Sequence, residues 1–270
     1  MSGSDSGFTG SIPALYDRYL GPTLFEPFAS DLARRFAGFE GVILETAAGT
    51  GRVTCALAAA APDATIVATD LNPAMLAQAV QVVSAPNISW SEADAQALPF
   101  ADATFDAVVC QFGAMFFPDK ATAYAEARRV LRPGGQFVFS VWDRMETNEL
   151  TLAVHQTVGA CFPDDPPNFL TRTPFGYHDA DAIHRAVSVA GFSDVSVETV
   201  SLATPAASTA GFVRGQCQGS PLAAEIEARR PQGLEQVVET VTAELTRRLG
   251  PGPISGRGQA LVVTARVPSD

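Results

Sequence analysis

The stretch that most constrains how this chain can fold runs from Val42 to Thr54 and reads VILETAAGTGRVT. Three apolar residues in a row predict a strand covered on both faces, as in a parallel sheet. Glu45 closes that strand, small residues with Gly49 and Gly51 make a tight turn, and Val53, Leu57 and Ala60 follow at helical spacing. Strand, glycine turn and helix in this order present backbone N–H groups at a helix N-terminus, facing the crevice at the strand's carboxyl end. Glycine belongs there because a Cβ would block close approach of a ligand. A strand-to-helix turn without a ligand is the plain alternative for this stretch taken alone.

The rest of the chain continues the rhythm. Residues 65–69 predict a second strand ending at Asp70, which lies 70 − 49 = 21 residues after Gly49. That is close to the spacing of about 20 at which an acid closing the second strand of a βαβ unit meets a ribose. Pro73 suits the first turn of a helix whose Met75, Ala79 and Val82 share a face. Residues 88–90, 105–110 and 136–142 read as further strands, with a helix over 119–131 that stops at Arg132-Pro133-Gly134-Gly135. The alternation predicts an α/β fold with a Rossmann-like, doubly wound sheet. An amphipathic helix is expected over 22–37, from Leu24, Phe25, Phe28, Leu32 and Phe36, and another over 179–190, with late strands at 195–202 and 260–267.

Two segments break the alternation, about 144–178 and 205–256; the second carries Leu234, Val237, Val238, Val241, Leu245 and Leu249 on one helix face. Long segments after the fourth to sixth strands belong above the strand carboxyl ends, so they are expected to cover a substrate, with stabilising decoration as the alternative. The expected organisation is an N-terminal segment and cap helix over 1–37, residues 1–10 being disordered. A main domain over 38–270 would follow, with helical cover insertions in those two segments.

Composition removes several classes. A formal net charge of −11, a single lysine at Lys120 and no basic run disfavour nucleic-acid backbones and anionic membranes. Cys55, Cys110, Cys161 and Cys217 are scattered, without metal-ligand spacing, and read as mostly buried free thiols of a cytoplasmic protein. Met1 to Gly10 lacks the apolar core of a signal peptide, and no apolar run is long enough to span a bilayer.

The ligand of the glycine turn is narrowed by what is missing. A dinucleotide fingerprint needs glycine at 47, 49 and 52, where this chain has Ala47, Gly49 and Arg52, and no Gly-Lys-Ser/Thr follows for a nucleotide phosphate loop. The pattern acid-x-small-x-Gly-x-Gly, from Glu45 through Ala47 and Gly49 to Gly51, resembles motif I of the class I S-adenosylmethionine-dependent methyltransferases, with Ala47 where glycine is commoner. Asp94-Ala95, Leu98-Pro99-Phe100 and Phe105-Asp106 resemble the family's adenine-binding and fourth-strand region, and Arg132-Pro133-Gly134-Gly135 its turn before the fifth strand. The resemblance covers about 40–270, is strongest over 42–142, and is nearest to the small-molecule, ubiquinone/menaquinone-biosynthesis-like type. It implies a mostly parallel sheet with an antiparallel last strand.

Carried over by position, the resemblance implies that Ala47 and Gly49 approach the methionine part of S-adenosylmethionine and that Glu45 orients its amino group. Asp70 would take the ribose hydroxyls, Leu71 and Met75 would pack on the adenine, and Asp94 and the Ala95 N–H would read its edge. Gln111 and Phe112 would flank the sulfonium. Tyr16 and Tyr19 would help close the site, packing of their helix being the alternative. The implied reaction is methyl transfer to a small, largely apolar organic acceptor by in-line displacement, which demands alignment more than catalytic groups. If a base is needed, His155 is the candidate, with a helix histidine lacking any role as the alternative. A catalytically idle S-adenosylmethionine-binding protein and a nicotinamide-dependent oxidoreductase are the competing readings. No metal, nucleic-acid or membrane partner is expected, and the chain is expected to be a monomer or homodimer.

Overall fold

The computed structural model describes Gly10 and residues 12–269, so the expectation of disorder over residues 1–10 lies outside the described residues except at Gly10. The chain enters through α1 (Ile12–Leu15), a π-helix (Tyr16–Phe25) and α2 (Glu26–Arg34). Then β1 (Gly41–Glu45), α3 (Arg52–Ala60), β2 (Ala64–Asp70), α4 (Pro73–Val82), β3 (Ile88–Glu92), β4 (Phe105–Gln111), α5 (Lys120–Val130) and β5 (Leu131–Trp142) follow. After these come α6 (Glu149–Ala160), α7 (Phe169–Arg172), α8 (Ala180–Val189) and β6 (Ser193–Ala206). The last elements are α9 (Thr209–Gln218), α10 (Leu222–Arg229), α11 (Leu234–Leu249) and β7 (Ile254–Arg266).

The seven strands form one sheet in the order β3-β2-β1-β4-β5-β7-β6. β1 to β5 pair in parallel, and β7 runs antiparallel to β5. The parallel strands carry unbroken apolar runs because both faces are covered: Ile43, Leu44, Ile66, Val108 and Val109 are fully buried. The strand order reverses between β1 and β4, whose carboxyl ends therefore part at a crevice, the position at which open α/β sheets bind ligands.

The chain divides into two compact units. The sheet unit holds Ala29–Trp142, Tyr177–Val200 and the residues from Ala260 onward. The helical unit holds the described residues up to Phe28, Asp143–Gly176 and Ser201–Gln259, which takes in the interrupting segment 205–256 and, except for Tyr177 and His178, the segment 144–178. In the helical unit α9, α10 and α11 bury Phe212, Val213, Leu222, Ile226, Val237, Val241 and Leu245. Among the described residues no helix is long and apolar enough to cross a membrane.

Several expectations are corrected. The helix read over 22–37 begins at Tyr16 as a π-helix and becomes α-helical only at Glu26; Pro22, inside the wide stretch, has no N–H for the helical ladder. Leu131, read as the end of the helix, and Arg132-Pro133-Gly134-Gly135, read as its stop, open β5 instead, and the sheet register shifts between Phe105 and Ala107 opposite them. The late strands extend to Ser193–Ala206 and Ile254–Arg266, longer than 195–202 and 260–267. Much of β6 is exposed, so polar residues break the apolar signal there. Of the four cysteines only Cys110 and Cys217 are buried, because α3 turns Val53, Thr54 and Leu57 inward and leaves Cys55 exposed.

Candidate functional site

The turn after β1 is tied to both neighbouring strands. The Thr46 N–H donates to the Val109 carbonyl, the Ala48 N–H to the Thr69 carbonyl, and the Thr69 hydroxyl to the Glu45 carbonyl. This lacing holds Ala47 and Gly49 at positive φ, +54° and +58°. The left-handed region costs a residue with a Cβ about 1–2 kcal/mol, so Ala47 stays there because its neighbours leave no other path. A Cβ on Gly49 would meet only Met75 Cε at 3.8 Å, an ordinary contact, so the backbone there is open to approach. Gly51 is different. A Cβ on it would lie 2.9 Å from Val83 Cγ2 and 3.0 Å from Trp90 Cη2, which gives its small size a packing reason.

Two carboxyl groups stand at the strand ends beside this turn. Asp70 Oδ2 accepts the Gly49 N–H and Oδ1 accepts the Asn72 N–H, each at 2.8 Å. Burial raises the pKa of Asp70 while these two N–H groups pull it down. Asp70 therefore serves the turn, and each oxygen keeps a further lone pair for a ligand. Glu45 is 1% exposed, and burial pushes its carboxyl up to about 8. The Thr54 side chain and backbone N–H act in the opposite direction, yet no hydrogen bond of ordinary geometry reaches Glu45 Oε2 or the Thr54 hydroxyl.

The remaining residues of the sheet unit fall around the same strand ends. Leu71 is 58% exposed while Met75 is buried beside Gly49. Asp94 follows β3; its Oδ1 accepts the Gln96 N–H and its carbonyl accepts the Ala97 N–H, a turn that does not use the Ala95 N–H. Gln111 ends β4, beside Ser140 of β5. Phe112, at φ +54°, stacks on Trp142 with ring centroids 3.8 Å apart, and its N–H donates to the Ser140 carbonyl. Gly113 follows, and a Cβ on it would come within 2.4 Å of Ala47 Cβ. Glu45, Ala47, Gly49, Gly51, Asp70, Leu71, Met75, Asp94, Ala95, Gln111 and Phe112 thus all belong to the sheet unit, on or just after β1, β2, β3 and β4.

Tyr16, Tyr19 and His155 belong to the helical unit. Tyr16 stacks on Phe25 at 4.7 Å, and Tyr19 lies beneath Arg18 and against Gly211 and Gly215. Tyr19 also lines a groove of about 640 Å³ with Arg214 and Glu235. His155 is half-buried on α6, and burial lowers its pKa. Among the described residues no group of three or more His, Cys, Asp or Glu could hold a metal.

The sequence reading passed over Thr50, Thr54 and Ser140, whose buried hydroxyls lack hydrogen-bond partners. Thr50 and Thr54 stand four residues apart at the start of α3, and that spacing across the glycine turn was the available signal. Ser140 left no signal beyond one polar residue in an apolar strand.

Residues 44–139 match the family model described as a methyltransferase domain. Over that stretch, about a third of the chain, the sequence is that of a methyltransferase domain. The ubiquinone/menaquinone biosynthesis C-methyltransferase UbiE of Caulobacter vibrioides is 39% identical over 123 residues, 46% of this chain and 44% of that one. The chain spans less than half the length of the curated relatives it matches. Among solved structures, a Haemonchus contortus phosphoethanolamine N-methyltransferase 2 in complex with S-adenosyl-L-methionine is similar with a TM-score of 0.60 and 15% identity, over 95% of this chain and 56% of that one. The [4+2]-cyclase SpnF is similar with a TM-score of 0.57 and 20% identity, over 91% of this chain and 81% of that one. The shared fold thus extends beyond residues 44–139, and it also occurs in a cyclase.

Proposed function

We propose that this protein transfers the methyl group of S-adenosylmethionine to a small, largely apolar organic acceptor. The observation that carries this is the open Gly49 backbone at the strand switch point, with Asp70 bonded to it and the buried Glu45 carboxyl, whose Oε2 lacks a partner, at the end of β1. A buried carboxyl with one unpartnered oxygen and a turn open to close approach suit a ligand with an ammonium group and a ribose. Glu45 would face the ammonium, Ala47 and Gly49 the amino-acid chain, Asp70 the ribose, Leu71 and Met75 the adenine face, and Asp94 with the Ala95 N–H its edge. Gln111 and Phe112 would flank the sulfur. When bound, the cofactor supplies a methyl group already made electrophilic by its sulfonium. The chain's residues then have to align an acceptor and exclude water, a matter of position rather than of acid–base groups.

The acceptor class rests on the net charge of −11, which argues against polyanions, and on the similarity to small-molecule methyltransferases. His155 remains the candidate base for an acceptor that must lose a proton. His155→Gln would then lower kcat with little change in affinity for S-adenosylhomocysteine, whereas unchanged turnover assigns the histidine no part in the reaction.

The direct test is thermal denaturation with ligands, followed by mass spectrometry of acceptor mixtures with methyl-labelled cofactor. A hundredfold excess of S-adenosylhomocysteine over its Kd stabilises by about 2.7 kcal/mol, whereas NAD and NADP are expected to do nothing. A shift with NADP alone would favour the oxidoreductase reading. Binding of S-adenosylhomocysteine with no labelled product from any acceptor would favour an idle binding protein or, given the fold shared with SpnF, another reaction.

A further inference from the structure

The Glu45 carboxyl is fully enclosed, and the groups that face it explain its state. α3 offers the hydroxyl of Thr54, buried and without a hydrogen-bond partner of ordinary geometry, and the Thr54 N–H. β2 offers Asp70, an acid that repels a second negative charge, and β4 offers Cys110, a thiol whose own ionisation Glu45 opposes. None of these supplies a positive charge. A carboxylate in such a place carries the cost of lost water without a counter-ion, and the neutral acid avoids that cost.

We propose that Glu45 is a neutral carboxylic acid when the site is empty and gives up its proton when a ligand's ammonium group arrives, so that ligand capture is coupled to release of one proton. The Glu45 O–H bond breaks, the proton leaves to solvent, and the carboxylate accepts an N–H of the incoming ammonium; charge and atoms balance without any other reactant. This rests on the S-adenosylmethionine reading and adds a linkage to it. The ligand brings the cation that the described residues do not supply, so the enclosed charge exists only as a pair. Because deprotonation is part of binding, affinity for an ammonium-bearing ligand rises with pH. With the free carboxyl titrating at about 8, the linkage predicts a rise of about ninefold between pH 6 and 7.

The experiment is calorimetric titration of S-adenosylhomocysteine at pH 7 in phosphate and in Tris, whose different ionisation heats report protons released. It is repeated with 5′-methylthioadenosine, which keeps the ribose facing Asp70 but lacks the amino-acid part. Wild type should release nearly one proton per S-adenosylhomocysteine and nearly none per methylthioadenosine. Glu45→Gln should release nearly none with either, and its affinity should lose most of the pH dependence. Infrared spectra of the empty protein at pH 7 should carry a protonated-carboxyl band that Glu45→Gln removes, a readout that holds even if the variant binds weakly. Binding of S-adenosylhomocysteine without proton release, or equal release with methylthioadenosine, overturns the proposal while leaving the cofactor reading intact. Failure of wild type to bind S-adenosylhomocysteine at any pH overturns both.

Discussion

Asp70 carries two duties that a single substitution separates. Its oxygens hold the Gly49 and Asn72 N–H groups, and the proposed ribose contact uses what lone pairs remain. Asp70→Ala leaves both N–H groups without an acceptor, about 1–3 kcal/mol each if water does not replace it, so the melting temperature should fall. Affinity for S-adenosylhomocysteine should also fall, by about 10- to 1,000-fold, because charged-acceptor bonds contribute roughly 1.5–3 kcal/mol each. Calorimetric titration and a melt on the same preparations read both. A melting shift with affinity unchanged within threefold would confine Asp70 to the turn. Glu45 makes a second residue-scale prediction, now for the empty protein. Its folded pKa of about 8 lies above the ordinary carboxyl value, so the folded state holds this proton more tightly than the unfolded chain. Stability from this group is therefore present at acid pH and is lost as pH rises through the unfolded value toward about 8, by about 1.4 kcal/mol per unit. Glu45→Gln should flatten this slope, leaving the variant more stable than wild type near pH 8 and little changed near pH 4, as read by urea unfolding across pH.

The element that sets Phe112 is the loop between β4 and α5, and it is held by the chain's one lysine. Lys120 Nζ donates to the Met115 and Phe117 carbonyls at 3.3 and 3.0 Å and lies 4.8 Å from the centre of the Tyr177 ring. The Trp142 N–H meets Met115 Sδ from the β5 side. Lys120→Met keeps the aliphatic stem but drops both hydrogen bonds, so it should weaken S-adenosylhomocysteine binding several-fold, with Lys120→Arg recovering most of it in the same titration. This loop also marks where the sequence stopped being legible. The β1 turn was readable because glycine, alanine and two acids at fixed spacing leave few alternatives, and its strand neighbours are continuous apolar runs. Lys120 over Tyr177 joins residues 57 positions apart and has no periodicity to betray it. The π-helix was equally hidden, since Leu20 and Leu24 suit a helix of either winding, as was the exposed part of β6, whose polar residues mimic a loop. Gly51 looked like a ligand-facing glycine until Val83 and Trp90 supplied another reason for it.

At the scale of the molecule the sheet unit carries the matched residues 44–139 and the helical unit the two interrupting segments apart from Tyr177 and His178. Hydrogen exchange can therefore ask where a ligand is felt. S-adenosylhomocysteine should slow exchange most in 45–52, 70–76 and 94–96, with the helical unit serving as an internal comparison. Strong protection confined to the helical unit, for instance around the groove lined by Tyr19 and Arg214, would move the binding site away from the glycine turn. The net charge of −11 also predicts no measurable DNA association by fluorescence anisotropy, even at low salt where phosphate contacts are strongest.

A Cβ on Gly113 would meet two neighbours at once, Ala47 Cβ at 2.4 Å and the buried Cys110 Sγ at 2.8 Å. Gly113→Ala should therefore force the turn and the loop apart and weaken the fold, and adding Ala47→Gly should restore only part of the loss, because the Cys110 contact remains. Comparison of the single and double variants by urea unfolding measures this dependence, which would make the two sites heritable as a pair.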